Sequence, residues 1–271
     1  MKISYLGPQG SFSEKAYRKM WPDQTGHEIT LAQDLLHLLQ SLIAGEIDVA
    51  VMPLWNSSGG FLKDRDTHKS YLQTMFDAKC CYRIVSEYFL PQDYCLMAVS
   101  GNGDDVQCLH VNPYAEKQCE AFIAGKGWKI ITHDSSSAAA KAAQENGAGH
   151  AALASHGAAT TYELQIMVPD VIEPPYMHFV SLTTQPEIHI DLSVSEAPIS
   201  SFAMSSPDKN APEPTIENAA IRSEPLTDTN LYLIDLPGER SEQHLKALAQ
   251  GDFFYLGTYP ADVESRKVLF G

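Results

Sequence analysis

Short apolar strands alternate with helical segments from residue 1 to about residue 182, and that alternation restricts the chain to an α/β fold with a largely parallel sheet. The first junction shows the design. Met1–Leu6 reads as a strand, Tyr5-Leu6-Gly7-Pro8-Gln9-Gly10-Ser11-Phe12-Ser13 as a turn, and Glu14–Trp21 as a helix. A strand that feeds a helix through a glycine-rich turn leaves backbone N–H groups free at the helix start, where anions bind. Gly7 and Gly10 allow close backbone approach, and Ser11 and Ser13 offer hydroxyls or an N-cap.

The same reading extends along the chain. Ile29–Ala44 is strand then helix, with Leu35, Leu36, Leu38, Leu39, Leu42 and Ile43 forming an apolar face that Gly45 ends. Asp48–Leu54 is a strand that ends at Pro53, and the loop Trp55-Asn56-Ser57-Ser58-Gly59-Gly60 follows at its carboxyl end, where open α/β sheets place ligands. Lys63–Lys69 is a mixed-charge solvated segment. Strands are expected over Tyr82–Leu90, Tyr94–Ser100, Val106–Val111, Trp128–Thr132, His150–Ala154 and Tyr176–Leu182. Helices are expected from Asn112-Pro113 to Ala124, over the alanine-rich Ala138–Glu145, and from Ser155 to Tyr162. Three turns share one design: Gly10-Ser11, Asn56-Ser57 and Ser135-Ser136-Ser137. Together they predict a pocket for a small carboxylate-bearing ligand. Beyond Thr183, Ser193–Pro225 is rich in Ser, Pro, Glu and Asn and reads as weakly structured with one strand, Ile199–Met204. Asn230–Leu236, Ser241–Gln250 and Phe253–Thr258 then read as strand, helix and strand of a small α+β domain.

The balance of 34 acidic against 19 basic residues, net charge −15, argues against nucleic acid and against an anionic membrane as partners. An anionic ligand must therefore be held by local donors. No apolar run is long enough to span a bilayer, and the N-terminus shows no charged-then-apolar leader pattern. The 5 cysteines include the pair Cys80-Cys81 but no Cys-x-x-Cys, which leads to an expectation of reduced thiols and a cytoplasmic location. His150 and His156 do not stand at metal-ligand spacing with carboxylates or thiols, so no metal is expected.

Six stretches in order resemble the prephenate dehydratase family, over nearly the whole chain. Gly7-Pro8-Gln9-Gly10-Ser11-Phe12-Ser13 resembles its GPEGTFS, and Pro53–Gly60 its PIENSxxG. Asn112-Pro113 through Gln118-Cys119 resembles HPQALAQC, and Ser136-Ser137-Ala138 resembles STA. Ala151–Leu164 resembles AAIAS…AA…YGL, and Leu256-Gly257-Thr258-Tyr259-Pro260 the LGSYP that closes a regulatory ACT domain. The resemblance implies a two-lobed fold like a type II periplasmic binding protein, with prephenate held in a cleft and no cofactor. It implies a dehydratase-like domain over 1–183, with lobe one about 1–78 and 163–183 and lobe two about 79–162. A linker, 184–196, and a small degenerate ACT-like α+β domain, 197–271, would follow. The family's assembly implies a homodimer or a dimer of dimers. The phenylalanine-binding Gly-Ala-Leu-Val element has no clear counterpart, and Glu-Ser-Arg-Pro is at best Arg222-Ser223-Glu224-Pro225, so the domain is expected to dimerise without sensing phenylalanine.

The departures bear on the chemistry. The family's catalytic Thr-Arg-Phe falls on Met177-His178-Phe179, its glutamate on Trp55 and its histidine on Asn112. Met177 cannot donate a proton, and His178 is a weaker, titratable partner for a carboxylate than arginine. The donors Ser11, Asn56, Ser57, Ser136 and Ser137 remain, with Trp55, Met177 and Phe179 completing the expected ligand shell. This pattern resembles the non-aromatising prephenate decarboxylases, which also lack the triplet but are usually shorter and have no ACT domain. It implies loss of CO2 alone, with His178 protonating the ring. Dehydration with another acid, His178 or a serine, and a non-catalytic protein that holds prephenate or an analogue are the alternatives. Each residue also has a structural reading: His178 as a packed strand residue, Met177 and Trp55 as fillers, Ser136 and Ser137 as caps, Asn56 and Ser57 as turn formers.

Overall fold

A computed structural model of the chain describes residues 1–64, 66–78, 82–100, 105–172, 175–188, 198–249, 251–261 and 267. Cys80-Cys81 and most of the expected linker lie outside the described residues. In chain order the elements are β1 (Lys2–Leu6), α1 (Phe12–Met20), β2 (Glu28–Ala32), α2 (Leu35–Ile43), β3 (Val49–Asn56), β4 (Gly60–Phe61), α3 (Tyr71–Ala78) and β5 (Arg83–Pro91). Then come β6 (Cys95–Ala98), β7 (Cys108–Val111), α4 (Pro113–Gln118), α5 (Glu120–Ile123), β8 (Lys129–Thr132), α6 (Ser136–Asn146), β9 (His150–Ala154), α7 (His156–Thr161) and β10 (Gln165–Val168). The last are β11 (Tyr176–Thr183), β12 (Pro198–Ser205), β13 (Ala220–Pro225), β14 (Asn230–Pro237), α8 (Glu242–Leu248) and β15 (Phe253–Pro260). The mixed α/β class read from the sequence is the class observed.

Two compact units divide the chain: Met1–Tyr5, Lys19–Phe89 and His178–Gly271 in one, Leu6–Arg18 and Leu90–Met177 in the other. The first unit holds a sheet in the order β2-β1-β3-β11-β5, with β4 paired to β3. β1 and β3 are parallel, Ile3 opposite Val49 and Tyr5 opposite Val51, and all four side chains are buried. α2 starts at Asp34, whose carboxylate accepts from the His37 N–H at 2.7 Å, and buries Leu35, Leu38, Leu39 and Leu42. Its apolar face is narrower than expected, since Ile43 is 51% exposed. The first unit also holds a four-stranded antiparallel sheet, β13-β14-β12-β15, with α8. The stretch read as weakly structured thus contributes two strands. β13 escaped notice because its inward-facing positions are Arg222 and Glu224, so its buried face is not apolar.

The second unit's sheet runs β10-β6-β9-β7-β8. β7 is parallel to β8 and β9, whereas β6 is antiparallel to β9 and β10, so the sheet is mixed rather than largely parallel. Residues 6–18 and 163–177 belong to this unit, although the sequence placed them with lobe one. The cause is local: Phe12 packs edge-on against Tyr94 at 5.7 Å, Lys15 pairs with Asp93 at 3.2 Å, and β10 ladders onto β6. The expected helix after Asn112 is interrupted at Cys119, which leaves helical geometry at φ −97° and ψ 15°. Cys95, Cys108 and Cys119 are free thiols.

Gly10 holds the first turn against α7. Its φ is +78°, and a Cβ there would lie 2.9 Å from Thr161 Oγ1. Gly10→Ala should destabilise the protein by about 1–3 kcal/mol in urea unfolding. Adding Thr161→Ala should recover only the steric part, leaving about 1–2 kcal/mol for the left-handed backbone.

Candidate functional site

The expected site residues fall into two groups, one in each unit. Trp55, Asn56, Ser57, His178 and Phe179 lie in the first; Ser11, Ser136, Ser137 and Met177 lie in the second.

In the first unit, β3 and β4 form a short antiparallel pair with Trp55 opposite Phe61 and Asn56 opposite Gly60. Asn56 Oδ1 accepts from Ser58 N at 2.9 Å, Ser58 Oγ at 2.6 Å and Gly59 N at 3.1 Å, so the side chain shapes the turn. Ser57 is exposed at the turn's tip. The Trp55 ring packs edge-on against Phe89 at 6.5 Å, and the Arg222 guanidinium lies over it at 5.5 Å.

His178 is 0% exposed and stacks flat on Phe89, with ring centroids 4.2 Å apart. Its Nε2 lies 2.8 Å from Glu87 Oε2 and its Nδ1 lies 2.8 Å from Arg222 Nη1. A guanidinium has no acceptor, so Nδ1 must be the unprotonated nitrogen and Nε2–H must donate to the Glu87 carboxylate. His178 is therefore a neutral imidazole of one fixed tautomer. Burial, then the Arg222 charge, hold its pKa well below the usual histidine value.

The chain of contacts continues and closes. Arg222 Nη2 donates to Asp235 Oδ2, and Asp235 Oδ1 accepts from Ser201 Oγ. Ser201 Oγ lies 2.6 Å from Tyr259 Oη, and Tyr259 Oη donates to Glu87 Oε2 at 3.3 Å. Burial and the carboxylates of Glu87 and Asp235 push the Tyr259 pKa well above its usual value, so the phenol keeps its proton. Each member comes from a different strand: Glu87 from β5, His178 from β11, Ser201 from β12, Arg222 from β13, Asp235 from β14 and Tyr259 from β15. The ring fastens the C-terminal sheet to the strand that carries the expected catalytic position. Sequence reasoning missed five of its members. The available signal was charge inside apolar strands, Glu87 in RIVSEYFLP and Asp235 in NLYLIDLP, because buried charges persist only when paired.

In the second unit the serines are tied to backbone and caps. Ser11 Oγ accepts from Glu14 N at 3.3 Å and donates to Leu6 O at 3.3 Å, while Glu14 Oε2 accepts from Gly10 N at 2.7 Å. Ser135 caps α6. Ser136 Oγ accepts from Asn112 Nδ2 at 2.8 Å, and Ser137 Oγ donates to Gln9 O at 2.8 Å. Tyr162 Oη donates to the same carbonyl at 3.2 Å. The first turn, the start of α6 and the start of α4 are thus gathered at one place in this unit. Met177 is buried, and no atom of its side chain can serve as a proton donor. Among the described residues, no group of three or more His, Cys, Asp or Glu is arranged to hold a metal ion.

Residues 3–180 match the family profile described as prephenate dehydratase. The chain belongs to the prephenate dehydratase family. The bifunctional chorismate mutase/prephenate dehydratase of Enterobacter agglomerans is 30% identical over 61% of this chain, and the match covers 42% of that protein, so the chain spans less than half of this relative. A solved prephenate dehydratase from Arthrobacter aurescens, in complex with L-Phe, superposes with a TM-score of 0.73 at 19% identity, over 96% of this chain and 90% of that one. A structure described as GqqA, a novel type of quorum quenching acylase, superposes at 0.71 with 20% identity, over 98% and 99%. At these identities the superpositions show a shared fold. No helix among the described residues is long and apolar enough to cross a membrane.

The His178 environment fixes a pH dependence. Its pKa is depressed in the folded chain and ordinary, about 6.5, in the unfolded chain. The unfolded state then binds the extra proton first, and stability falls as pH drops below about 6.5. The loss should approach about 1.4 kcal/mol per pH unit from this group, as read by urea unfolding at a series of pH values. His178→Gln should remove this group's share of the slope and leave that of His110, whose pKa is also depressed. Arg222→Met, which strands buried carboxylates, should cost about 3–5 kcal/mol near neutral pH.

Proposed function

We propose that the chain is a lyase acting on prephenate, and that it removes the ring carboxylate as CO2 while leaving the ring hydroxyl in place. The product would be a dihydro-4-hydroxyphenylpyruvate. Family membership supports the substrate class. The observation that carries the choice of bond is the lack of an available acid at Met177-His178-Phe179, where the resemblance puts the family's catalytic triplet. Met177 has no proton to give, and both ring nitrogens of the fully buried His178 are held by Glu87 and Arg222. Departure of hydroxide needs a positioned acid, worth about 10²–10⁴ in rate. Departure of CO2 needs none at the leaving group; the electron pair stays on the ring and is later protonated. In this reading His178 is not that proton source. The sequence assigned it the acid's part; its tautomer and burial support a positioning role instead.

Dehydration is the competing reading, favoured by the gathered hydroxyls of Ser136, Ser137 and Tyr162. One incubation with prephenate separates the two. CO2 release without the alkaline absorbance of phenylpyruvate is the expected result. Phenylpyruvate formation would overturn the reading in favour of dehydration. Thermal stabilisation by prephenate without turnover would leave a binding protein. His178→Gln should retain CO2 release within about tenfold, because no proton passes through that ring.

A further inference from the structure

Three histidines of the second unit form a separate chain. His110 Nδ1 lies 2.8 Å from His133 Nε2, and His110 Nε2 lies 2.8 Å from His150 Nδ1. β7 lies between β8 and β9 and is parallel to both, with Cys108 opposite His150 and His110 opposite Ile131. The chain therefore runs along the strand direction, from the start of β9, past His110 on β7, to His133 just beyond the end of β8. His133 N donates to Val111 O at 2.9 Å, which fixes that end two residues before Ser135, the cap of α6. His110 is 2% exposed, whereas both end residues are half-buried. Burial, then the two neighbouring imidazoles, lower the His110 pKa to about 4, so the central ring rests neutral.

A core histidine satisfied by two partners would have the same contacts, but it would be expected to have one tautomer. His178 is such a case: an arginine on one nitrogen and a carboxylate on the other admit a single arrangement. Here both partners are imidazoles, and each can donate or accept. Among the described residues no carboxylate, carbonyl or cation bonds to any of the three rings, so two arrangements are available. In one, His150 donates to His110, His110 donates to His133, and His133 carries its proton on Nδ1. In the other, every bond is reversed and His150 carries its proton on Nε2. Conversion of the first to the second releases one proton at His133 and takes up one at His150. Resetting the chain requires the rings to turn over, which bounds the flux.

We propose that His150, His110 and His133 are a proton relay that delivers a proton from solvent at the start of β9 to the turn that opens α6. Its place in catalysis rests on the decarboxylation reading. When the carboxylate leaves as CO2, the bonding pair stays on the ring carbon and one proton must form the new C–H bond. The relay supplies that proton, and water at His150 replaces it.

Nitrogen-15 NMR of the histidine rings at pH 8 tests the relay without activity. His150→Lys puts a donor at the far end and should drive His133 to the Nδ1–H tautomer. His150→Glu puts an acceptor there and should drive His133 to Nε2–H, although residue 150 does not bond to His133. The same His133 tautomer in both variants would overturn the relay. The second arm is CO2 release from prephenate. His110→Phe should lower kcat at least tenfold with KM within twofold. If the wild type releases CO2 and His110→Phe matches it, the relay has no part in the reaction. If the wild type releases none, the decarboxylation reading fails and the NMR result still decides the relay.

Discussion

One contact organises the first unit: the Arg222 guanidinium against Nδ1 of His178. An arginine can only donate, so this contact fixes where the imidazole proton sits, which aims Nε2–H at Glu87. With Glu87 anchored, Tyr259 has its acceptor; with Arg222 anchored, Asp235 has its cation and Ser201 its partner. The C-terminal sheet is thereby joined to β5 and β11 through directed bonds. The consequence reaches the chemistry. On β11 the imidazole of His178 is held neutral and closed to solvent.

Four of the molecule's histidines show how context divides one side chain into two roles. His178 lies between groups that cannot exchange donor and acceptor character, and it is static. His110 lies between two groups that can, and its contacts allow two donor–acceptor arrangements. Burial depresses the pKa in both cases, so the pKa alone does not distinguish them. The identity of the partners does.

Much of this was legible in the sequence. Asp34, Asn112, Ser135 and Ser155 cap helices as their residue types suggest, and the leucines of α2 face inward at helical spacing. Ser11 Oγ accepts from Glu14 N, in keeping with the N-cap that the sequence offered at Ser11, while Glu14 Oε2 accepts from Gly10 N. What was hidden depended on pairs distant in sequence. β13 could not be read from hydrophobic alternation because its inward side chains are charged, and their partners lie on other strands. Likewise, the six residues of the ring run from 87 to 259, and no local window contains more than one bonded pair. The surroundings of His178 were hidden for the same reason: residue type set its range of chemistry, and Arg222, 44 positions away, occupies one of its ring nitrogens.

A buried ring of charges is a poor way to gain stability, since an apolar cluster of equal volume is often as stable or more so. Its effect is on uniqueness. Side chains alternate across a strand, so a slip of one residue in β12, β13, β14 or β15 turns that strand's ring member to the opposite face. An apolar face can accept such a slip by repacking. The ring cannot, because the slip leaves a buried carboxylate or guanidinium without its partner, at a cost of several kcal/mol. Ser201 opposite Asp235 on β14, and Arg222 on the next strand, are therefore register marks for the whole C-terminal sheet. The same marks set the register of that sheet against β11, which is how a domain remote in sequence fixes the one histidine that the site strand carries.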